Sequence, residues 1–112
     1  MNIIFKSRGL EKECNQQDLL LRRHGAKRAM LIRRRLDELK AAQTLDIMRF
    51  LPPARCHELK AGRAGELSVD LDHPYRLIFK PDHNPLPTKP DGGLDWTQVT
   101  SIKILGVEDT HD

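Results

Sequence analysis

The sequence predicts an α+β domain in which two N-terminal helices pack against an antiparallel sheet, in the order β-α-α-β-β-β. Two observations indicate this class. Apolar residues between positions 26 and 42 recur at spacings of three and four, the period of a helix with one buried face. After Pro52 and Pro53 the period changes to two, which is typical of strands with one buried face. Helices followed by a run of strands favour a domain with its helices on one side of a sheet.

The N-terminal part begins with a β-prone run at residues 2–6, after which Ser7 can cap a helix around residues 10–15. Residues 16–25 contain a run of leucines and end in a glycine. They either extend this helix or form a turn into the next one, and the sequence leaves both alternatives open.

The clearest helix covers residues 26 to about 42. Its predicted buried positions are Ala29, Ile32, Leu36 and Leu39. An arginine triplet at residues 33–35 fills other faces, and we interpret it as a solvent-exposed helix surface rather than a ligand site. Thr44 is placed to cap a further short turn, which the two prolines then end.

A β-hairpin is predicted downstream. Alternation begins at residues 55–60 and is strict over residues 66–71, which pair across a turn with an antiparallel strand at residues 75–80. The side chains predicted to share the buried face of the first hairpin strand are Leu67, Val69 and Leu71.

A long loop and a final strand complete the chain. Residues 81–95 hold four of the seven prolines, and at about 15 residues this segment exceeds ordinary hairpin connections. We interpret it as either functional or disordered. Residues 99–107 return to β-prone sequence, with Ile102, Ile104 and Leu105 predicted to enter the core. We expect a single domain over residues 1–112.

Composition and charge narrow the class of protein. The chain is 38% hydrophobic and 31% charged, and its apolar runs fall far short of the roughly 20 residues that a membrane-spanning helix needs. Because it also lacks a secretion signal, we expect a cytoplasmic protein without membrane contact. Residues 1–40 carry 11 Lys and Arg against 5 Asp and Glu, whereas the whole chain has a net charge of only +3. Such concentrated positive charge favours a polyanionic or acidic partner.

Motifs for cofactors or nucleophilic catalysis are missing from the sequence. Cys14 and Cys56 lack a CxxC spacing, and we interpret them as reduced, buried or half-buried thiols. The five histidines are scattered without ligand spacing, so we predict no metal and no other cofactor. The sequence has no GxSxG elbow, P-loop or HExxH motif.

Several residues suit the cleavage of RNA without a metal, which needs a proton acceptor for the 2′-hydroxyl, cations over the phosphate and a donor for the leaving oxygen. Arg63 lies in a glycine-bracketed turn, where its guanidinium can bind two phosphate oxygens at once. Arg76 lies on the second hairpin strand. His57 and Lys60 precede the turn, and their odd spacing places them on opposite faces of a regular strand. Near the end of the chain, a histidine follows Asp109 and adds acid–base capacity.

Four blocks of the sequence resemble the HigB-type toxins of the RelE/ParE superfamily, the plasmid maintenance system killer proteins. Residues 57–69 resemble the family block H-x-L-K-G-D-R-x-G-x-x-S-V, and residues 75–79 resemble its W-R-L-x-F strand. Residues 107–111 resemble its V/Y-E-D-Y-H ending, and residues 5–10 resemble its F-K-x-K-G-L start. The blocks occur in order and lie at both ends and in the centre of the chain, and residues 81–95 lie outside them.

This resemblance implies a RelE-like fold and a metal-independent endoribonuclease that cuts mRNA on the ribosome and so inhibits translation. The catalytic residues that it implies are His57, Arg63, Arg76, Asp109 and His111. The RNA-binding residues that it implies are Lys60, Arg63 and Arg76. It also implies a HigA-like helix-turn-helix antitoxin as partner, contacts with the ribosome and mRNA, and binding to operator DNA only through the antitoxin complex.

Three functions remain open at this point. The favoured one is the mRNA interferase, with the two arginines on the scissile phosphate. The second is a ParE-like inhibitor of DNA gyrase, against which the clustered cleavage residues argue. The third is a degenerate toxin that only binds its antitoxin and regulates the operon. The third is favoured by Thr110, which stands where the family has a tyrosine and can neither stack on a base nor act as a phenolic acid.

Overall fold

A mixed five-stranded sheet forms the centre of the computed structural model, which describes residues 1–109. In chain order the helices and strands are β1 (Asn2–Phe5), α1 (Arg8–Asn15), α2 (Gln17–Ala41), β2 (His57–Glu58), β3 (Leu67–Asp70), β4 (Tyr75–Pro81) and β5 (Ser101–Asp109). Short 3-10 turns lie at Leu45–Phe50, Pro52–Ala54 and Trp96–Gln98. The strands lie across the sheet in the order β1-β5-β4-β3-β2. The predicted α+β class is confirmed.

The helices begin and break at residues with the expected local chemistry. The hydroxyl of Ser7 accepts a hydrogen bond from the Leu10 amide at 3.1 Å, so the predicted cap is confirmed. Helix α2 is kinked at Gly25, whose φ of 78° lies in the left-handed region that favours glycine. Both alternatives for this segment therefore hold in part, since residues 17–24 are helical and Gly25 turns the chain. Thr44 is the N-cap residue of the predicted short turn, but its side chain makes no capping hydrogen bond. Within residues 1–109 no helix is long and apolar enough to cross a bilayer.

Helix α2 packs its predicted apolar face on the sheet. The four predicted core positions are at most 2% exposed: Ala29, Ile32, Leu36 and Leu39. The sheet side of this core comprises Leu67, Val69, Leu77, Phe79, Ile102 and Ile104. Because side chains alternate along a strand, the residues between these point away from the helices. We call that opposite side of the sheet the outer face.

The interpretation of the arginine triplet as exposed surface is wrong for Arg35, which is only 5% exposed. Its Nε donates to the Asp70 carbonyl at 2.8 Å, and its Nη2 donates to the Pro53 carbonyl at 3.1 Å. Its Nη1 donates to a Glu38 carboxylate oxygen at 3.0 Å. The guanidinium thus joins α2 to the end of β3 and to the proline turn, which a pattern of apolar residues cannot show. Arg34 is exposed, as predicted.

The prediction of an antiparallel sheet is wrong for one strand pair. Strand β1 runs parallel to β5, with Asn2 opposite Ser101, whereas the other three pairs are antiparallel. The predicted order has three strands after the helices, whereas the structure has four. The additional strand is β2, which is short and pairs with β3 over only two residues. Parallel strands need a long connection, and nearly the whole chain separates β1 from β5. Alternation reports which face of a strand is buried but not which strand lies beside it.

A bulge in β5 explains why Leu105 is only half-buried, contrary to its predicted place in the core. The register with β4 shifts between Ile78, which lies opposite Gly106, and Phe79, which lies opposite Ile104. Leu105 is therefore the extra residue of the bulge.

The proline-containing segment at residues 81–95 has defined contacts. Thr88 and Leu94 form an isolated antiparallel bridge within it. The Nε2 atom of His83 accepts hydrogen bonds from the backbone amides of Thr100 and Ser101, at 3.0 and 3.3 Å. These bonds attach the segment to the start of β5.

Candidate functional site

The ring of His57 is held on the outer face in one orientation. His57 lies opposite Ser68, which sits between the core residues Leu67 and Val69, so both point to the outer face. The Nδ1 atom of His57 lies 2.8 Å from the carbonyl oxygen of Arg55. A carbonyl can only accept, so Nδ1 carries the proton, and in the neutral ring Nε2 carries the lone pair. Nε2 is therefore the proton acceptor of the neutral ring.

Arg76 lies on the same face of the sheet, between Asp70 on β3 and Glu108 on β5. Its side chain is largely buried, and its Nε lies 3.6 Å from an Asp70 carboxylate oxygen. Asp70 also accepts two hydrogen bonds from Arg55, at 2.8 and 3.2 Å. Standard strand spacing and rise place the Cα atoms of His57 and Arg76 about 12 Å apart.

Two carboxylates bind the guanidinium of Arg63. The turn that carries it is formed by Gly62 and Gly65, with φ of 79° and 87°. Nε and Nη2 of Arg63 donate to Glu66 at 3.0 and 2.6 Å, and Nη1 and Nη2 donate to Glu108 at 2.8 Å each. The hydrogen bonds from Arg63 lower the pKa of the Glu108 carboxyl from its ordinary value. A phosphate must displace a carboxylate before it can bind two nitrogens of this guanidinium.

These side chains form what we call the arginine–carboxylate network. Its members are Arg55, Arg63, Arg76, Glu66, Asp70 and Glu108. Three guanidinium and three carboxylate groups have no formal net charge between them. The network therefore orders the arginines on the outer face without adding net positive charge to it.

Lys60 lies in the connection between β2 and β3, where it is exposed. The prediction that Lys60 and His57 occupy opposite faces of one strand is wrong, because β2 ends at Glu58. Glu58 itself belongs to the helix side of the sheet, where it accepts a hydrogen bond from the Trp96 indole nitrogen at 3.0 Å.

Asp109 is not brought to the outer face by its register position. It lies opposite Tyr75, whose ring packs under the guanidinium of Arg28 from α2, 3.5 Å from the ring centroid. Glu108, one residue earlier in β5, is the carboxylate that reaches the outer face. His111 and Thr110 lie outside the described residues.

Sequence reasoning missed the carboxylates of this site. Glu108 lies in the block at residues 107–111, but the catalytic residue predicted from that block is its neighbour Asp109. Alternation along β5 was the available signal, since it separates adjacent residues to opposite faces. The pairing of Asp70 with Arg76 follows from the hairpin register, where opposite charges face each other favourably.

A buried hydroxyl adds a further feature beside His57. The Oγ atom of Ser68 is fully buried and has no hydrogen-bond partner among residues 1–109. By register it lies between His57 and Ile78. An unsatisfied buried hydroxyl costs about 1–3 kcal/mol, and such groups are uncommon in native proteins.

The cysteines are unsuited to chemistry at this site. Burial raises the pKa of Cys14 to about 11 and that of Cys56 to about 12, so both thiols stay protonated at neutral pH. The thiolate is the reactive form, and neither residue provides it. In the described part of the chain, no group of three or more His, Cys, Asp or Glu side chains is placed to hold a metal ion.

No protein-family model matches the sequence, and no curated protein matches it significantly. Function therefore has to be inferred from the residues of the outer face, together with the motif resemblance.

Proposed function

We propose that this chain is a HigB-type toxin with a RelE/ParE-like fold, a metal-independent endoribonuclease that cuts mRNA on the ribosome and inhibits translation. The observation that carries the proposal is the presence of His57, Arg63 and Arg76 on or beside one face of the sheet, although they come from three different segments. The α+β class, with helices on the other face of the sheet, supports the proposal at the level of fold class.

The geometry supports a role for each of these residues. Nε2 of neutral His57 takes the proton of the RNA 2′-hydroxyl, whose oxygen then attacks the adjacent phosphorus. Arg76 stabilises the charge that develops on the non-bridging oxygens. Arg63 adds a second guanidinium once the phosphate has displaced Glu108. The 5′-oxygen leaves with a proton from a general acid. The resemblance implies Asp109 and His111 as catalytic residues, and of these the register of Asp109 does not place it on the outer face.

The resemblance also supports the proposed partners. These are a HigA-like helix-turn-helix antitoxin that inhibits the chain, the ribosome with its mRNA, and operator DNA bound through the antitoxin complex. We place the protein in the cytoplasm, where translation occurs.

A second candidate is a catalytically inactive toxin that retains antitoxin binding and operon regulation. The four hydrogen bonds from Arg63 to Glu66 and Glu108 favour it, because they occupy a group that cleavage requires. The threonine at position 110 in place of the family tyrosine favours it as well.

Expression of the chain without a partner, followed by mapping of RNA ends, separates these functions. Cuts within translated codons that vanish when translation is blocked would support the nuclease. Growth arrest with intact RNA and a DNA-damage response would indicate gyrase inhibition, and no phenotype would indicate an inactive toxin.

Two variants then test the phosphate role of Arg76. Arg76→Ala should abolish cleavage, because it removes the guanidinium proposed to bind the phosphate, and should leave antitoxin binding near normal. Arg22→Ala, on the exposed surface of α2, is the matched control and should cleave normally. Unchanged cleavage by Arg76→Ala would refute the proposed binding of the phosphate by Arg76.

A further inference from the structure

Two lysines lie directly opposite each other on the outer face. Lys80 of β4 pairs with Lys103 of β5, and their chain neighbours Phe79, Ile102 and Ile104 belong to the core. Both lysines therefore point away from the helices. Like charges at directly opposite positions destabilise an antiparallel pair. Within residues 1–109 neither ammonium group forms an ion pair that would offset this repulsion.

The lysine pair lies beside the arginine–carboxylate network. Lys80 is four residues beyond Arg76 on β4, which corresponds to about 13 Å. The charges of the network cancel, whereas the pair carries two positive charges without carboxylate partners in the described chain. The outer face therefore attracts an anion at the lysine pair more strongly than at the network.

A hollow opens beside Lys80, between the glycine turn and the start of the segment at residues 81–95. Gly65, Glu66, Pro81 and Leu86 contribute to its lining. Leu86 is 45% exposed, although it is apolar. The hollow thus combines an apolar wall with a cation at its edge. This combination suits a nucleotide, whose base is flat and largely apolar on its faces and whose phosphate is anionic.

We propose that Lys80, Lys103 and the hollow form a nucleotide subsite for single-stranded RNA. The two ammonium groups bind a backbone phosphate, and an unstacked base lies against Leu86 and Pro81. Only an unpaired strand presents a base in this way. The inference rests on the proposed function for its choice of ligand, since it extends the same RNA from the network to a second position on the outer face.

The test is equilibrium binding of the full chain to a single-stranded 2′-O-methyl oligoribonucleotide of about ten residues. This probe lacks the attacking hydroxyl and cannot be cleaved. Fluorescence anisotropy over a series of salt concentrations compares the wild type with Lys80→Gln/Lys103→Gln and with Leu86→Ala. The charge-matched control is Lys12→Gln/Lys27→Gln, which removes two exposed lysines from the helices.

Each variant has its own expected result. Lys80→Gln/Lys103→Gln should bind about tenfold more weakly at low salt, and its slope of log K against log salt should be shallower by about 0.7 for each phosphate that the variant no longer neutralises. Leu86→Ala should bind more weakly at every salt concentration with an unchanged slope, because the substitution removes apolar surface and no charge. The Lys12 and Lys27 control should bind like the wild type. The lysine-pair variant should unfold at the wild-type urea concentration or above it, since the substitution relieves repulsion.

The other outcomes overturn the subsite. No binding by the wild type would show that the chain has no such RNA subsite. An equal loss in both double-lysine variants would mean that binding depends only on net charge. A loss that depends on the lysines but not on Leu86 would indicate a general polyanion surface. Cleavage in translating cells is measured separately. If RNA binding depends on the two lysines but no cleavage occurs, the nuclease is refuted and the subsite is kept. If the wild type cleaves RNA and Lys80→Gln/Lys103→Gln binds RNA as tightly as the wild type, only the subsite is refuted.

Discussion

Glu108→Gln should strengthen RNA binding because it removes a carboxylate that competes with phosphate for the guanidinium of Arg63. In the structure Glu108 accepts two of the four hydrogen bonds that Arg63 donates to carboxylates, both at 2.8 Å. Glu66 accepts the other two. A phosphate that replaces Glu108 gains a bidentate interaction but first breaks this one. Glutamine keeps the size of the side chain and removes the charge that competes with the phosphate.

The size of the gain follows from the exposure of the pair. The side chains of Arg63 and Glu108 are 34% and 42% exposed, so solvent screens their attraction and the contribution is about 1 kcal/mol. That free energy corresponds to about a fivefold increase in RNA affinity. The same substitution should lower the free energy of unfolding by up to about 1 kcal/mol, because the native ion pair is weakened.

Anisotropy with the uncleavable oligonucleotide measures the gain in a double-mutant cycle. Glu108→Gln should bind more tightly than the wild type, but not in an Arg63→Ala background. Glu11→Gln, which makes the same charge change on the exposed surface of α1, should have no effect. An equal gain with and without Arg63 would refute the competition between Glu108 and phosphate.

The same ion pair predicts a pH dependence of stability. Arg63 lowers the pKa of the Glu108 carboxyl below its ordinary value of 4.5. The stabilisation is therefore fully present above pH 4.5 and is lost as the pH falls through the lowered pKa. Urea unfolding should show a difference between wild type and Glu108→Gln at neutral pH that disappears in acid. A difference that persists in acid would contradict this assignment.

Two further predictions concern stability and reactivity. Arg28→Ala should lower the free energy of unfolding by about 2 kcal/mol, because the guanidinium donates to Asp72 at 2.9 and 3.1 Å and stacks on an aromatic ring of β4. Urea unfolding measures this, and Arg22→Ala should change it by less than about 0.5 kcal/mol; equal effects would contradict the prediction. Cys14 and Cys56 should react with Ellman's reagent only after unfolding, since burial raises the pKa of both thiols. Rapid labelling of the native protein would show that they are accessible.

Local chemistry in the sequence was sufficient for α1, for the part of α2 after Gly25 and for the hairpin. The cap at Ser7 depends on residues three apart, and the buried face of α2 depends on a period that one turn of helix imposes. The pairing of β3 with β4 depends on a short turn between adjacent strands. Each of these interactions joins residues close in sequence, so a single sequence contains the information.

The candidate site was predicted only in part. His57, Arg63 and Arg76 were identified from residue type and motif, but the state of each depended on its surroundings in the folded chain. The proton on Nδ1 of His57 follows from the carbonyl of Arg55. The carboxylates on Arg63 follow from the position of Glu108, which is 45 residues away in sequence.

The sequence by itself thus determined the helix over residues 26 to about 42, the hairpin with its buried face, and the residue types suited to phosphate chemistry. Only the tertiary structure decided the parallel pairing of β1 with β5, the burial of Arg35 and the opposition of Lys80 and Lys103. The physical reason is the same in each case. Hydrophobic periodicity specifies which side of an element is buried, whereas the neighbour on that side depends on how distant segments are brought together when the whole core forms.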